Sequence, residues 1–256
     1  MKIFLSPAKT LDFENAPAVS KPTAPLFSSK AALINKELRK YSSRQLQKLQ
    51  NISSQLAELN VERNAKWEPR PTSGTRAALY VFQGDVYQGM QAAEWSPEDV
   101  AFAERHLRIL SGLYGILRPN DQILPYRLEM GTQLPVNGTA NLHQFWKDIL
   151  QEHVEKKWDK NELMVNLASK EYFRAISQLN LAQPVLNFTF KDYSKGQYKV
   201  IPYYAKIARG LMARYIVQNR LETREEFQSF STNGYYFSNQ QSTTDELVFL
   251  RDENDK

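Results

Sequence analysis

With no cysteine among its 256 residues, this chain can hold neither a disulfide framework nor a thiolate metal site. Its fold must be closed by buried apolar surface alone. The material for that is present: 42% of the residues are hydrophobic and 24% charged, a globular rather than a disordered balance. No repeat, low-complexity tract or long linker divides the sequence, so the expectation is a single domain over residues 1–256. The longest apolar runs fall far short of the roughly 20 residues that a membrane-spanning helix needs. The opening Met1-Lys2-Ile3-Phe4-Leu5-Ser6-Pro7 is too brief an apolar stretch for a secretory signal. A cytoplasmic chain without membrane contact is the expectation.

Lys2 to Leu5 reads as a short strand, and Phe13 to Phe27, with Pro17, Pro22 and Pro25, as an extended loop. From Lys30 to Leu59 the apolar positions keep three- and four-residue steps, which predicts helix, split in two near Ser42-Ser43 with a serine capping the second half. Ser96-Pro97-Glu98-Asp99 is a helix start, with serine at the cap, proline in the first turn and acids near the positive end. Leu163 to Leu167 predicts a strand and Lys170 to Ser177 a helix. Val185 to Phe190 and Tyr198 to Ile201 predict two strands joined across Lys195-Gly196. Tyr203 to Asn219 is a long helix, and Tyr235 to Phe237 and Leu247 to Leu250 are late strands. Helices and strands interleave without steady alternation, so the fold class is α+β, an irregular mixed α/β domain.

The net charge is +5, and it is unevenly spread. Lys191 to Arg224 holds eight basic and two acidic residues, and Lys30 to Lys48 six basic residues against Glu37. The stretch from Asp245 to Lys256 is acidic, with five carboxylates and two cations. Such asymmetry predicts a cationic side, or basic cleft, that attracts phosphate backbones; an ordinary solvated surface is the bland alternative. On the helix from Tyr203 to Arg220, at about 100° per residue, Lys206, Arg209 and Arg220 fall within roughly 60° of one another, with Arg214 on the flank. Arg forks there can meet phosphate oxygens. Gly210 in mid-helix costs about 1 kcal/mol relative to alanine, so a packing neighbour or a ligand should approach closely there.

Leu107 to Pro119 contains Gly112-Leu113-Tyr114-Gly115, which resembles the helix-hairpin-helix element of DNA-repair proteins, although that element usually spaces its glycines by two rather than three. Two glycines beside helix starts can form an anion-binding nest, or serve a tight turn under a packed core. Ser6-Pro7-Ala8-Lys9-Thr10 follows the first strand directly, a common binding position in α/β proteins, though without the glycines of a P-loop. Asp85, Arg127, Glu129 and Glu171 sit in three further polar blocks. Were these to meet in one cleft, the carboxylates would be acid/base candidates and Arg127 an anion clamp; pairing and helix capping explain the same residues. His106, His143 and His153 show no ligand spacing, so neither a metal nor another cofactor is expected.

Taken together, the blocks resemble the bacterial peroxide-stress protein YaaA family. The residues that carry this are Ile3-Phe4-Leu5-Ser6-Pro7-Ala8-Lys9-Thr10-Leu11, Phe82-Gln83-Gly84-Asp85-Val86-Tyr87, His106 to Gly115, Leu117-Arg118-Pro119, Pro125 to Gly131, Phe145-Trp146, Asn166-Leu167-Ala168-Ser169, Glu171-Tyr172-Phe173, Tyr204-Ala205-Lys206 and Ala208 to Arg214. The resemblance implies protection during hydrogen peroxide stress, lower free intracellular iron, less oxidative damage to DNA, and DNA binding through a positively charged cleft with a helix-hairpin-helix-like element. It supplies no catalytic residues. The leading expectation is therefore a stress protein that binds duplex DNA without sequence selectivity. Lys206, Arg209 and Arg214 would be its phosphate contacts, Gly112 and Gly115 the turn against the backbone, and Lys9, Arg108, Arg118 and Arg127 further lining of the same cleft. The alternative is an enzyme acting on a nucleotide, nucleoside or damaged base, with Lys9, Asp85, Arg127 and Glu171 in its pocket. A third is an adaptor for an iron-handling partner.

Overall fold

The computed structural model describes residues 1–255. In chain order the strands are β1 (Lys2–Leu5), β2 (Thr10–Leu11), β3 (Arg76–Ala77), β4 (Phe82–Gln83), β5 (Leu107–Ser111), β6 (Gly115–Leu117), β7 (Gln122–Ile123), β8 (Met164–Asn166), β9 (Val185–Ser194), β10 (Gln197–Lys199), β11 (Tyr235–Phe237) and β12 (Glu246–Arg251). The helices are α1 (Ser28–Leu38), α2 (Ser43–Gln50), α3 (Ser54–Lys66), α4 (Ala78–Val81), α5 (Asp85–Met90), α6 (Pro97–His106), α7 (Leu142–Lys157), α8 (Lys170–Ser177), α9 (Pro202–Asn219) and α10 (Arg224–Phe227).

The main sheet runs β11-β12-β9-β8-β1-β5-β6, with β10 also paired to β9. Its centre is parallel: β12 with β9, β9 with β8, β8 with β1, and β1 with β5. Antiparallel strands β11, β6 and β10 border it. The fold is thus a mixed α/β domain, as the pattern predicts, yet its sheet is more regular than the uneven interleaving suggests. The irregularity lies in the connections, since six helices intervene between neighbouring β1 and β5. Strand β5 and residues Ile3 to Leu5 of β1 are buried throughout, as expected for parallel strands covered on both faces. One continuous core extends from Ile3 to Phe249.

Local chemistry sets most boundaries. Ser96 caps α6 in a box with Asp99, and Pro97 occupies the first turn. Ser42 and Gln45 do the same for α2. The polar stretch that predicts two helices forms three, because Asn51 adopts a left-handed conformation (φ 50°) and ends α2 before Ser53 caps α3. Lys195 and Gly196, both at positive φ, turn β9 into β10. Half of the acidic C-terminal stretch is not a free tail: Glu246 to Arg251 is strand β12, and Arg251 lies buried against Asp192 with Nε–Oδ1 at 2.7 Å. Gly210 meets a packing neighbour rather than a ligand, since a Cβ there would sit 1.9 Å from the carbonyl oxygen of Val86 on α5.

A polar cluster at the carboxyl ends of β1 and β8

Strands β1 and β8 are adjacent and parallel, yet the chain leaves β1 toward β5 and leaves β8 toward β9, on opposite sides. Such a reversal of direction marks the usual ligand position in open α/β sheets, beyond the carboxyl ends of the strands. Ser6 follows β1 and Ser169 follows β8, and they meet there. Ser169 N–H donates to Ser6 Oγ at 2.9 Å, and the two hydroxyls lie 3.2 Å apart. Ser169 also caps α8 by accepting from Tyr172 N–H. From α5, the Tyr87 hydroxyl donates to the Ser6 carbonyl at 3.0 Å.

Charged groups from five separate segments pair near these strand ends. Lys9 Nζ lies 2.9 Å from Glu129 Oε1, and Arg127 Nη2 lies 3.5 Å from the same oxygen. The buried Nε of Arg127 has no hydrogen-bond partner among the described residues. Glu171 Oε1 accepts from Gly131 N–H at 3.2 Å, and a Cβ on Gly131 would crowd that carboxylate at 3.1 Å. Gly84 abuts Ala8 and positions Asp85, whose carboxylate pairs with Lys206 of α9 at 3.2 Å. Tyr172 lies close to both Glu129 and Glu171; burial, then neighbouring Tyr126 and these carboxylates, raise its phenol far above the usual value. It stays protonated, a donor beside two acceptors.

Lys9, Asp85, Arg127, Glu129, Glu171 and Lys206 therefore do come together, whereas the other expected contacts do not. Gly112 and Gly115 are buried, and their flanking segments are the antiparallel strands β5 and β6, not helices. Trp146 Nε1 donates to the Gly112 carbonyl at 2.9 Å, and the Trp146 ring covers Gly115 so closely that a Cβ would lie 2.8 Å away. The pair makes a turn under a packed core, and no phosphate can approach it. Arg108 is buried and donates to the carbonyls of Glu104, Leu107 and Arg105. Lys2 Nζ reaches that same Arg105 carbonyl, so Arg108 belongs to the amino end of β1. Arg118 is held there too, by Asp121 at 2.8 Å and by Glu104.

On α9 the expected split into a cationic and an apolar half is only partial, because burial of Ala205, Ala208, Gly210, Met212, Ala213, Ile216 and Val217 takes much of its circumference. Arg214 pairs with Glu94 at 2.8 Å, and Arg220 with Asp99 at 2.6 Å. Arg209 is half-buried without a carboxylate partner among the described residues, and desolvation lowers its pKa. Periodicity missed Ser6 and Ser169 as a pair, because only strand adjacency brings them together. It also missed Arg63 on α3, which lies near enough to Arg127 for the two charges to repel.

Among the described residues no three His, Cys, Asp or Glu side chains stand close enough to hold a metal ion, and no helix is long and apolar enough to cross a membrane. Comparison with known sequences bears on the chain as a whole. It is 43% identical over 254 residues to UPF0246 protein Mmwyl1_3597 of Marinomonas sp. (strain MWYL1), covering 99% of this chain and 98% of that protein. It is 44% identical over 256 residues to a UPF0246 protein of Shewanella denitrificans, covering 99% of each. The sequence model described as peroxide stress protein YaaA matches residues 1–241, which take in every residue of the strand-end cluster, and the chain belongs to that family.

Proposed function

We propose that this chain serves the peroxide-stress response of its family in the cytoplasm by binding the phosphate backbone of duplex DNA without sequence selectivity, so shielding it from oxidative damage. The observation that carries the reading is the set of cations along α9. Lys206, Arg209 and Arg214 all project from α9, and Arg209 has no carboxylate partner among the described residues. Lys206 and Arg214 are held by pairs in which Lys206 and Glu94 are more than half exposed, and such pairs are worth about 0–1 kcal/mol. Exchanging those carboxylates for phosphates costs little. On this reading the helix-hairpin-helix role passes from Gly112 and Gly115 to α2 and α3, the helix pair joined by the tight turn at Asn51. The lower free iron that the resemblance implies would run through an iron-handling partner.

The experiment is duplex binding across a salt series for the parent and for Lys206→Ala, Arg209→Ala, Arg214→Ala combined, with the fold verified. Each phosphate contact adds about 0.9 to the slope of log affinity against log salt. The expected result is a steep slope that flattens by about 2 to 3 in the variant. Parent binding indifferent to salt would sink the proposal.

A further inference from the structure

A cavity of about 920 Å³ opens between α3 and the segment that follows β2. Leu11, Phe13, Leu59, Trp67 and Leu124 give it apolar and aromatic walls. It abuts the strand-end cluster, because Thr10 and Pro125 line it and are close chain neighbours of Lys9 and Arg127. The cavity has the size of a site for a drug-sized or cofactor-sized molecule.

Its charges are arranged unevenly. Glu14, Glu62, Lys66 and Glu68 line it as exposed residues, and Asp12 is occupied by its own turn, accepting from Glu14 N–H, Asn15 N–H and Asn15 Nδ2. Set into the wall is Arg63, half-buried, whose one hydrogen-bond partner among the described residues is Asn60 Oδ1 at 3.5 Å. Burial and the neighbouring Arg127 together lower its pKa, which marks a cation short of counter-charge. At the inner end, Lys9 and Arg127 share one carboxylate, Glu129, and Arg63 has no carboxylate partner among the described residues. A small dianion is what that end lacks, and a flat, largely apolar body is what the outer walls accommodate.

We infer that the cavity and the Lys9–Arg127 end of the cluster form one binding site for a nucleotide unit, with its phosphate against Arg63, Arg127 and Lys9 and its base against Phe13 and Leu11. Phosphate alone would leave the cavity walls unused, and a nucleoside alone would leave the arginines uncompensated. The unit is either a free mononucleotide or a nucleotide of a strand turned out of its stack. Neither source requires the α9 cations, so the site stands or falls separately from duplex binding along that helix.

Calorimetric titration of the full chain with nucleoside 5′-monophosphates, the matching nucleosides and inorganic phosphate tests it. At least one monophosphate should bind saturably, and about tenfold tighter than either its nucleoside or inorganic phosphate. Arg63→Met and Arg127→Met should each weaken it by about tenfold, and Phe13→Ala should narrow its advantage over inorganic phosphate. Arg209→Ala should leave it unchanged. In parallel, a duplex carrying 2-aminopurine at a mismatch reports a base leaving its stack by a rise in fluorescence. A rise in the parent that Arg63→Met abolishes, without binding of free monophosphates, assigns the site to a strand; saturable monophosphate binding assigns it to the free nucleotide. Neither signal, or signals that survive both Arg63→Met and Arg127→Met, overturns the inference.

Discussion

Replacing Gly210 by alanine sets two effects against each other. Mid-helix alanine is favoured over glycine by about 1 kcal/mol, so helix propensity alone predicts a more stable protein. The packing says otherwise. The new methyl carbon would lie 1.9 Å from the Val86 carbonyl oxygen and 2.9 Å from the Met90 nitrogen, whereas carbon and oxygen ordinarily approach to about 3.3 Å. Both obstacles are backbone, so no side chain can swing aside, and α5 must retreat by on the order of 1 Å. The approach is reciprocal: a Cβ on Gly89 would stand 2.3 Å from the Ile207 carbonyl oxygen. Overpacking a filled interface costs about 1–3 kcal/mol. With backbone on both sides the upper end applies, which leaves a net loss of about 2 kcal/mol after the propensity gain. For a domain of this size that is about 4–8 °C in Tm. A calorimetric or circular-dichroism melt reads the shift, and a Gly210→Ala protein melting at or above the parent temperature would refute the close packing of α5 on α9. Because Asp85 begins α5 and Lys206 lies on α9, the same variant should also loosen their ion pair.

Asp192 and Arg251 form a pair buried to 0% and 2% exposure, with the guanidinium between the rings of Tyr204 and Tyr235, each 4.6 Å away. Asp192→Ala should cost about 3–5 kcal/mol in denaturant melts by stranding that charge, while Asp192→Leu combined with Arg251→Met should recover much of the loss; equal losses in both would count against a charge effect. His106, His143 and His153 are each held below the usual 6.5, first by burial, so the fold favours their neutral forms. Their contribution is complete above about pH 6.5 and is lost as pH falls through the depressed folded values, because the unfolded chain takes up protons first. The urea midpoint should therefore drop between about pH 7.5 and 5.5, with a smaller drop in His153→Gln, and a midpoint that rises over that interval would contradict the sign.

Much of this fold is legible in one dimension. Short-range chemistry decides where α6 begins, because Ser96, Pro97 and Asp99 satisfy the first amides locally, and where β9 turns, because Lys195 and Gly196 take up positive φ. It also marks Ser6 to Thr10 as a loop at a strand's end. Composition requires a core closed by apolar burial. What the sequence does not display is which residues become neighbours. The block from Leu107 to Pro119 carries glycines that suit a helical phosphate clamp equally well, and only burial under Trp146 makes it a turn between two strands. Arg108 and Arg209 look alike as letters, yet one is consumed by backbone carbonyls and the other keeps no carboxylate partner among the described residues. The cluster itself joins residues 6, 85, 129, 171 and 206, separated by up to 200 positions. Local propensity acts over a few residues, while the pairing of β1 with β8 and the seating of α5 on α9 act across the chain, so the sequence determined the pieces and only the tertiary structure decided which of their charges pair.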